Sequence, residues 1–235
     1  MQMSKFDSPE EINVLIGCER SGVVRDEFVR LGFNAFSCDL NPLEGGNDNR
    51  HIQDDIRVVA EYGEWDLLCV MHPPCTRLCN SGVRWLHRPP KGRTLDEMWQ
   101  ELHDGAELFS FCWNVRNIQS ICIENPVMHK HAKRLIQNYA PANQHVQPHQ
   151  FGDPYFKSTG LYLRNLPELV PTNQLDVPDK ETDLAEYNAW SAVHRASGAN
   201  RSEIRSRTFP GVAKAVAKQF GSHLLKSGYN YSLAV

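Results

Sequence analysis

The sequence contains no apolar run of the roughly 18 residues needed to span a bilayer, so a membrane protein is not expected. Residues 1–11 lack the basic start and apolar stretch of a secretory signal and instead carry Asp7, Glu10 and Glu11, which places the expected location in the cytoplasm. Seven cysteines are an odd set for a disulfide framework, and Cys38, Cys69 and Cys122 sit inside apolar runs where a free thiol behaves as a small hydrophobe. Internal repeats and low-complexity tracts are lacking. Charge of one sign is lacking too: 25 Lys and Arg against 28 Asp and Glu leave a net charge of −3, so a nucleic-acid partner has to be met by a local basic patch. With 41% hydrophobic and 23% charged residues, disorder is excluded, and 235 residues suit one domain covering 1–235.

What is present alternates between strand and helix. Ile12 to Ile16 is a short β-rich run ending at Gly17, and Val23, Val24, Glu27, Phe28 and Leu31 follow at helical spacing before Gly32. Phe33 to Leu40 reads as a second strand, followed by a Gly- and Asn-rich loop from Asn41 to Asn49 that leads to Asp54 and Asp55. Trp65 to Met71 is a third run, halted at His72-Pro73-Pro74-Cys75. Glu97 to Val115 has the length and period of a helix, and Ser120 to Ile123 is an apolar run stopped by Glu124-Asn125-Pro126. Tyr155 to Leu163 reads as a strand in a hairpin with residues near 145–151, Pro167 to Asp183 as an exposed connector, and the residues after Pro210 as a helix with Val212, Ala213, Val216, Ala217 and Phe220 on its apolar face. This order predicts an α/β domain, Rossmann-like, with a mostly parallel sheet. In such sheets ligands bind beyond the carboxyl ends of the strands, where each polar cluster above falls.

Four of these clusters can carry chemistry. The turn Gly17-Cys18-Glu19-Arg20-Ser21-Gly22 between strand and helix can bring backbone amides to a ligand, although it matches neither the dinucleotide fingerprint nor a P-loop. Asp39 ends the second strand, where a carboxylate can accept from ribose hydroxyls; Gly17 and Asp39 also suit plain turn and cap roles. Cys75, after two prolines at a strand end, is placed where a nucleophile belongs, against the alternative of a cysteine packed in a rigid turn. His72, Cys75 and Cys79 make a poor zinc set because no second Cys pair completes it, and the C-x-x-x-C spacing with no H-x-E excludes a zinc deaminase. Glu124 ends another apolar strand on the same edge, where burial raises a carboxyl's pKa and lets it donate to a ring nitrogen, or where it simply caps a turn. Two basic stretches flank these clusters: Arg84, Arg88, Lys91 and Arg93 around Trp85, and Arg195, Arg201, Arg205 and Arg207 before the last helix. Each suits phosphate contact or a solvated surface, and Trp85 suits stacking on a base.

In order and spacing, these clusters resemble the motif series of DNA (cytosine-5) methyltransferases. The matching pieces are the Gly turn, the acid after the second strand, Asp55 before Ile56, Pro74-Cys75 and Glu124-Asn125. With Glu124-Asn125-Pro126 and Phe151-Gly152-Asp153-Pro154-Tyr155, the chain is similar in particular to the small members found in phages and prophages, and the resemblance runs from about Ile12 to Phe220. It implies a methyltransferase fold and methylation of cytosine carbon 5 in DNA with S-adenosyl-L-methionine as cofactor, in a bacterial or phage-infected cell. Cys75 would be the nucleophile on carbon 6, with its thiol pKa lowered by Arg77, His72 or a helix N-terminus, and Glu124 would hydrogen-bond the ring. Gly17 and Gly22 would shape the cofactor loop, Asp39 hold the ribose and Asp55 meet the adenine amino group, with Pro74 beside the cofactor. Asn125, Lys157, Arg84 and Arg88 would serve the substrate, a flipped cytosine in duplex DNA or a single strand. No metal and no membrane are implied.

The chain departs from the family where Leu15 replaces an aromatic, where Tyr155-Phe156-Lys157-Ser158-Thr159 replaces Gln-x-Arg-x-Arg and leaves Lys157 as the cation in register, and where Gly211-Val212-Ala213 replaces Gly-Asn-Ala. Only residues 166–207 stand where family members with strict sequence recognition carry a large target recognition domain. A free pyrimidine nucleotide as substrate, a modified cofactor, and a silent cofactor- or nucleic-acid-binding regulator remain alternatives.

Overall fold

The computed structural model describes residues 6–46, 48–195 and 208–226. Arg201, Arg205 and Arg207 of the second basic stretch lie outside the described residues. The elements run β1 (Asn13–Gly17), α1 (Val23–Arg30), β2 (Asn34–Asp39), β3 (His51–Gln53), α2 (Ile56–Tyr62), β4 (Leu67–Val70), α3 (Leu95–Asn114), β5 (Ser120–Asn125), α4 (Lys130–Leu135), β6 (Gln144–Val146), β7 (Thr159–Arg164), α5 (Leu184–Trp190), α6 (Ala192–Arg195) and α7 (Pro210–Lys226).

Burial on both faces explains why the central strands read as unbroken apolar runs: all four residues of β4 and all six of β5 are buried. The sheet order is β3-β2-β1-β4-β5-β7-β6. Strands β1 to β5 pair in parallel, and β7 runs antiparallel to both β5 and β6. The expected Rossmann-like α/β class is therefore what the chain adopts. Helices α1 and α7 cover one face, where Phe28, Val216 and Phe220 pack on Val14, Ile16 and Cys69. Helices α2, α3 and α4 cover the other, where Met98, Leu102 and Phe109 pack with Leu15, Leu68 and Ile121. The chain moves outward from β1 to β3 and then returns to the other side of β1 as β4, so the loops after β1 and β4 part and leave a crevice between them.

Two short elements are invisible to periodicity. β3 has three residues and α2 has seven, one on each side of Asp55 and both too short for a period to show. The predicted strand from Tyr155 begins instead at Thr159, because Tyr155 turns aside to lie 4.9 Å from the Phe209 ring and Phe156 lies 5.4 Å from Trp190. Its hairpin partner, β6, ends at Val146, before the 145–151 segment is complete. The long helix begins two residues early, at Leu95, because Thr94 and Glu97 close a capping box. Among the described residues no helix is long and apolar enough to cross a membrane.

Glu19 holds the turn between β1 and α1. It is fully buried and accepts from the backbone N–H groups of Val24 at 2.8 Å and Arg25 at 3.3 Å, taking the role of a cap that Gly22, in the left-handed region at φ 73°, has no side chain to fill. At the other end of the domain, Asp153 accepts from the Gly211 N–H at 2.8 Å and anchors the start of α7. A Cβ on Gly211 would stand 2.0 Å from the Phe151 carbonyl oxygen, so that position tolerates only glycine.

Two stability predictions result. Gly211→Ala lowers unfolding free energy by about 1–3 kcal/mol through overpacking, read as a lower urea midpoint at unchanged slope. Burial lifts the Glu19 carboxyl to about 7 against the N–H groups that favour its ionised form. A folded-state pKa above the unfolded value gives stability that is full below pH 4.5 and is lost as pH rises through about 7. Glu19→Gln removes this dependence, so the stability difference between variant and parent changes by on the order of 1–3 kcal/mol between pH 4 and 8, in favour of the variant at high pH. A variant–parent difference in urea-derived stability that stays constant from pH 4 to 8 contradicts it.

Candidate active site

The crevice at the switch point is a cleft of about 640 Å³ between the ends of β1, β2 and β4 and the helices α2 and α3. Asp39, Asp55 and Pro74, all singled out from the sequence, line it, together with Cys18, Leu40 and Ile56. Asp39 accepts from the backbone N–H and side-chain amide of Asn41 at 2.8 and 2.9 Å, which fixes its carboxylate at the strand end. Asp55 caps α2 through the Arg57 N–H at 2.9 Å and pairs with the Arg57 guanidinium at 2.6 Å; that partner holds its carboxyl below the usual range. Arg57 is a cleft residue that sequence reading missed, and the Asp-x-Arg spacing at a helix start is the signal that marks it. Gly17 and Gly22 do not line the cleft. A Cβ on Gly17 would meet Ile56 Cδ1 at 2.8 Å and one on Gly22 the Arg25 guanidinium at 2.6 Å, so both glycines shape the turn from behind. Cys18, at φ 54°, takes the left-handed conformation that directs the chain out of β1.

The Cys75 loop leaves β4 over this cleft. The Leu78 and Cys79 N–H groups both donate to the Cys75 carbonyl at 3.0 Å, curling the backbone into a helical turn with a half-buried Cys75 at its start. The tie to the next strand end is extensive. The Asn80 N–H donates to the Val127 carbonyl at 3.0 Å and the His129 N–H to the Leu78 carbonyl at 3.1 Å. His129 Nε2 lies 2.6 Å from the Arg77 carbonyl, and since a carbonyl only accepts, Nε2 carries the hydrogen while Nδ1 accepts from the His131 and Ala132 N–H groups. His129 was not visible as a brace in the sequence, because nothing local marks a contact across that separation.

Glu124 sits at the end of β5 beside this loop. It is 7% exposed and accepts from the Thr159 hydroxyl, in a hollow also lined by His72, Lys157 and Thr208. Burial drives its carboxyl pKa upward, and Lys157 and Thr159 oppose that shift only in part. Burial also holds His72 neutral, pulled down to about 3, with Nε2 at 2.7 Å from the Thr208 hydroxyl. Lys157 acts electrostatically on Cys75, Glu124 and His72 alike, so Cys75, Glu124 and Lys157 share one local field. Asn125, next along β5, points to the opposite sheet face by strand alternation. It is fully buried, its Nδ2 donates to the Pro126 carbonyl at 2.7 Å, and its Oδ1 has no partner.

Two expectations need correction. Arg77 does not support the Cys75 thiolate, because its Nε is paired with Glu101 at 2.7 Å. Neutral His72 supplies no charge either; among the described residues Lys157 is a cation that acts electrostatically on the thiol. The basic loop is anchored. Leu86 is buried in the core, half-buried Trp85 packs against that core with Arg84 4.3 Å above its ring, and Arg93 is tied to Glu97 and Glu101. Arg84 and Arg88 themselves are exposed on this anchored loop. Among the described residues no group of three or more His, Cys, Asp and Glu is arranged to hold a metal ion.

No protein-family model matches the chain and no curated protein is similar to it. Among solved structures it has a likeness to an E. coli protein described as a candidate DNA modification methyltransferase encoded within a prophage, at 16% sequence identity and a TM-score of 0.40. The likeness covers 65% of this chain and 46% of the other, so the chain spans less than half the length of that neighbour.

Proposed function

We propose that the protein is an S-adenosyl-L-methionine-dependent DNA methyltransferase that modifies cytosine at carbon 5 through a covalent Cys75 adduct, as a single domain in which residues 166–207 stand in place of a target recognition domain. The observation that supports this reading is a half-buried thiol and a buried carboxyl whose pKa burial raises, near a cleft at the switch point, with Lys157 acting on both.

The cleft suits the cofactor by its chemistry. Asp39 and Asp55 are acceptors for hydroxyl and amino donors, Leu40 and Ile56 offer apolar surface for a flat ring, and a volume of about 640 Å³ falls within the range of small-molecule sites. Bound there, S-adenosyl-L-methionine supplies an electrophilic methyl group on a sulfonium. Cys75 forms its bond to carbon 6 of the cytosine, which makes carbon 5 nucleophilic. Glu124 in its protonated form donates to the ring nitrogen and draws electron density from carbon 6 as sulfur attacks. Lys157 favours the thiolate against the burial that opposes it, and neutral His72 adds no repulsion to that lysine. Once carbon 5 carries the methyl group, its proton passes to solvent water, the freed electron pair restores the ring double bond, and the sulfur–carbon bond breaks to release the Cys75 thiolate. The target carbon is inaccessible to this geometry within a stacked duplex, so the base is extruded, and exposed Arg84 and Arg88 meet phosphates beside it.

The test is methyl transfer from tritiated cofactor to duplex DNA, single-stranded DNA and dCMP in parallel. DNA is labelled by the parent protein, Cys75→Ala gives no label, and Glu124→Gln lowers kcat about 10²–10⁴-fold. An oligonucleotide carrying 5-fluorocytosine traps a covalent complex with the parent protein alone. Label in DNA that persists in Cys75→Ala overturns the mechanism, label confined to dCMP moves the substrate, and measurable cofactor binding with no label in any tube removes the activity.

A further inference from the structure

Helix α4 has no part in the chemistry above, and its cations belong to neither basic stretch noted in the sequence. Lys130, Lys133 and Arg134 stand at i, i+3 and i+4, which puts them on one helical face, and all three are exposed. Like charges at these spacings repel and weaken a helix. Packing on the other side, where Ala132 and Ile136 are buried, holds α4 in place in spite of it.

The charged face continues across a side-chain contact into the basic loop. The His131 ring packs edge-on against His87, with centroids 6.2 Å apart, and against Trp99 of α3 at 5.5 Å. His87 lies between exposed Arg84 and Arg88, in a turn closed by the Arg88 N–H donating to the Arg84 carbonyl at 3.0 Å. Among the described residues Arg84, Arg88, Lys91, Lys130, Lys133 and Arg134 form no ion pair with a carboxylate. The acids at the start of α3 do not cancel them: Glu97 and Glu101 are held by Arg93, Glu101 by Arg77 as well, and Asp96 joins no ion pair among the described residues. The sequence is segregated in the same way. Residues 67–95 and 125–152 hold eight lysines and arginines and no aspartate or glutamate, in a chain whose net charge is −3.

On the reading of the protein as a DNA methyltransferase, we infer that the exposed face of α4 and the basic loop form one phosphate-binding surface on which duplex DNA rests beside the extruded base, with Lys130, Lys133 and Arg134 as contacts to its backbone.

Position and chemistry both favour this occupant. The two acid-free segments continue the strands that carry the site: the first contains Cys75, and the second starts directly after Glu124. Hydrogen bonds from Asn80 to Val127 and from His129 to Leu78 tie one to the other, so the cations are held in a fixed relation to the thiol and the carboxyl. The surface presents charge and not ring faces, because Trp85 is half-buried with Arg84 4.3 Å above it and Trp99 is half-buried against His131. Cations without stacking platforms suit the phosphates of a duplex better than the bases of a single strand. Phosphate contacts position a duplex without reading its sequence, which fits a chain with only residues 166–207 in the place of a recognition domain.

The experiment measures binding of a fluorescent DNA duplex by anisotropy, without cofactor, between about 50 and 200 mM salt. It compares the parent with the triple variant Lys130→Gln, Lys133→Gln, Arg134→Gln and with a charge-matched control on α7, Lys214→Gln, Lys218→Gln, Lys226→Gln, on the opposite face of the sheet. Each phosphate contact contributes about 0.9 to the slope of log Kd against log salt, so the α4 variant loses about 2–3 from that slope and binds about 10–10²-fold more weakly, equally for duplexes of unrelated sequence. The α7 control keeps the parent slope. Circular dichroism confirms folding, and Lys133→Gln alone, with a slope lower by about one, serves if the triple variant unfolds. A parent slope in the α4 variant, an equal fall in the α7 control, or a parent that binds no duplex overturns the surface. So does loss of binding to phosphatidylserine vesicles in the α4 variant with duplex binding unchanged, which makes the occupant a membrane. The readout needs no methyl transfer: a reduced slope in a protein that labels no DNA upholds the surface while the methyltransferase reading fails, and an unchanged slope with Cys75-dependent DNA labelling does the reverse.

Discussion

The lacing of residues 77–80 to residues 127–129 is what the candidate site rests on. Three hydrogen bonds, between Asn80 and Val127, His129 and Leu78, and the His129 ring and the Arg77 carbonyl, bind the loop after β4 to the segment after β5. The strands themselves are parallel neighbours, with Val70 opposite Ile123, so their ends are already side by side. The lacing converts that adjacency into a fixed relation between a thiol on one loop and a carboxyl on the other. A reaction that needs both groups on one small ring gains from geometry set before the substrate arrives, since little ordering is left for binding to supply. His129 is suited to the work because its two ring nitrogens serve both sides at once, one donating to the loop and one accepting from a helix start.

Desolvation sets the character of the hollow. The same burial that holds His72 neutral raises the Glu124 carboxyl pKa, so both groups are driven toward their uncharged forms. Lys157 acts on both Cys75 and Glu124, and in a medium of low polarity that interaction is stronger than at an exposed surface. This arrangement also explains why Lys157 sits on a segment that leaves the sheet. Tyr155 and Phe156 turn away to pack on Phe209 and Trp190, and that turn delivers the lysine between them and β7 toward the two catalytic candidates.

The neighbouring cleft follows from topology more than from any one residue. Reversal of strand order on either side of β1 opens the crevice, and the N-termini and loops around it provide carboxylates already fixed by local hydrogen bonds, Asp39 by Asn41 and Asp55 by Arg57. The glycines of the first turn act at one remove. They let Ile56 and Arg25 approach the backbone from behind, and buried Glu19 holds the start of α1 in front.

Much of this was legible in the sequence because the central strands are buried on both faces and so appear as apolar runs that stop abruptly. The stopping points of four of them, Gly17, Asp39, Cys75 and Glu124, all fall on the binding edge of the sheet. The breaks at Gly17, His72-Pro73-Pro74-Cys75 and Glu124-Asn125-Pro126 told where chemistry could be placed. Periodicity was silent on β3 and α2, which are too short to show a period, and on the true start of β7, which tertiary aromatic packing decides. Residue type also misled where partners matter: Arg77 and His72 are cationic in isolation, but one is neutralised by Glu101 and the other by burial. Thus the sequence by itself determined the fold class, the edge of the sheet and the candidates Cys75 and Glu124. Only the tertiary structure decided which charges survive beside them and how His129 laces the two loops together, because desolvation and contact belong to the packed chain and not to its order of residues.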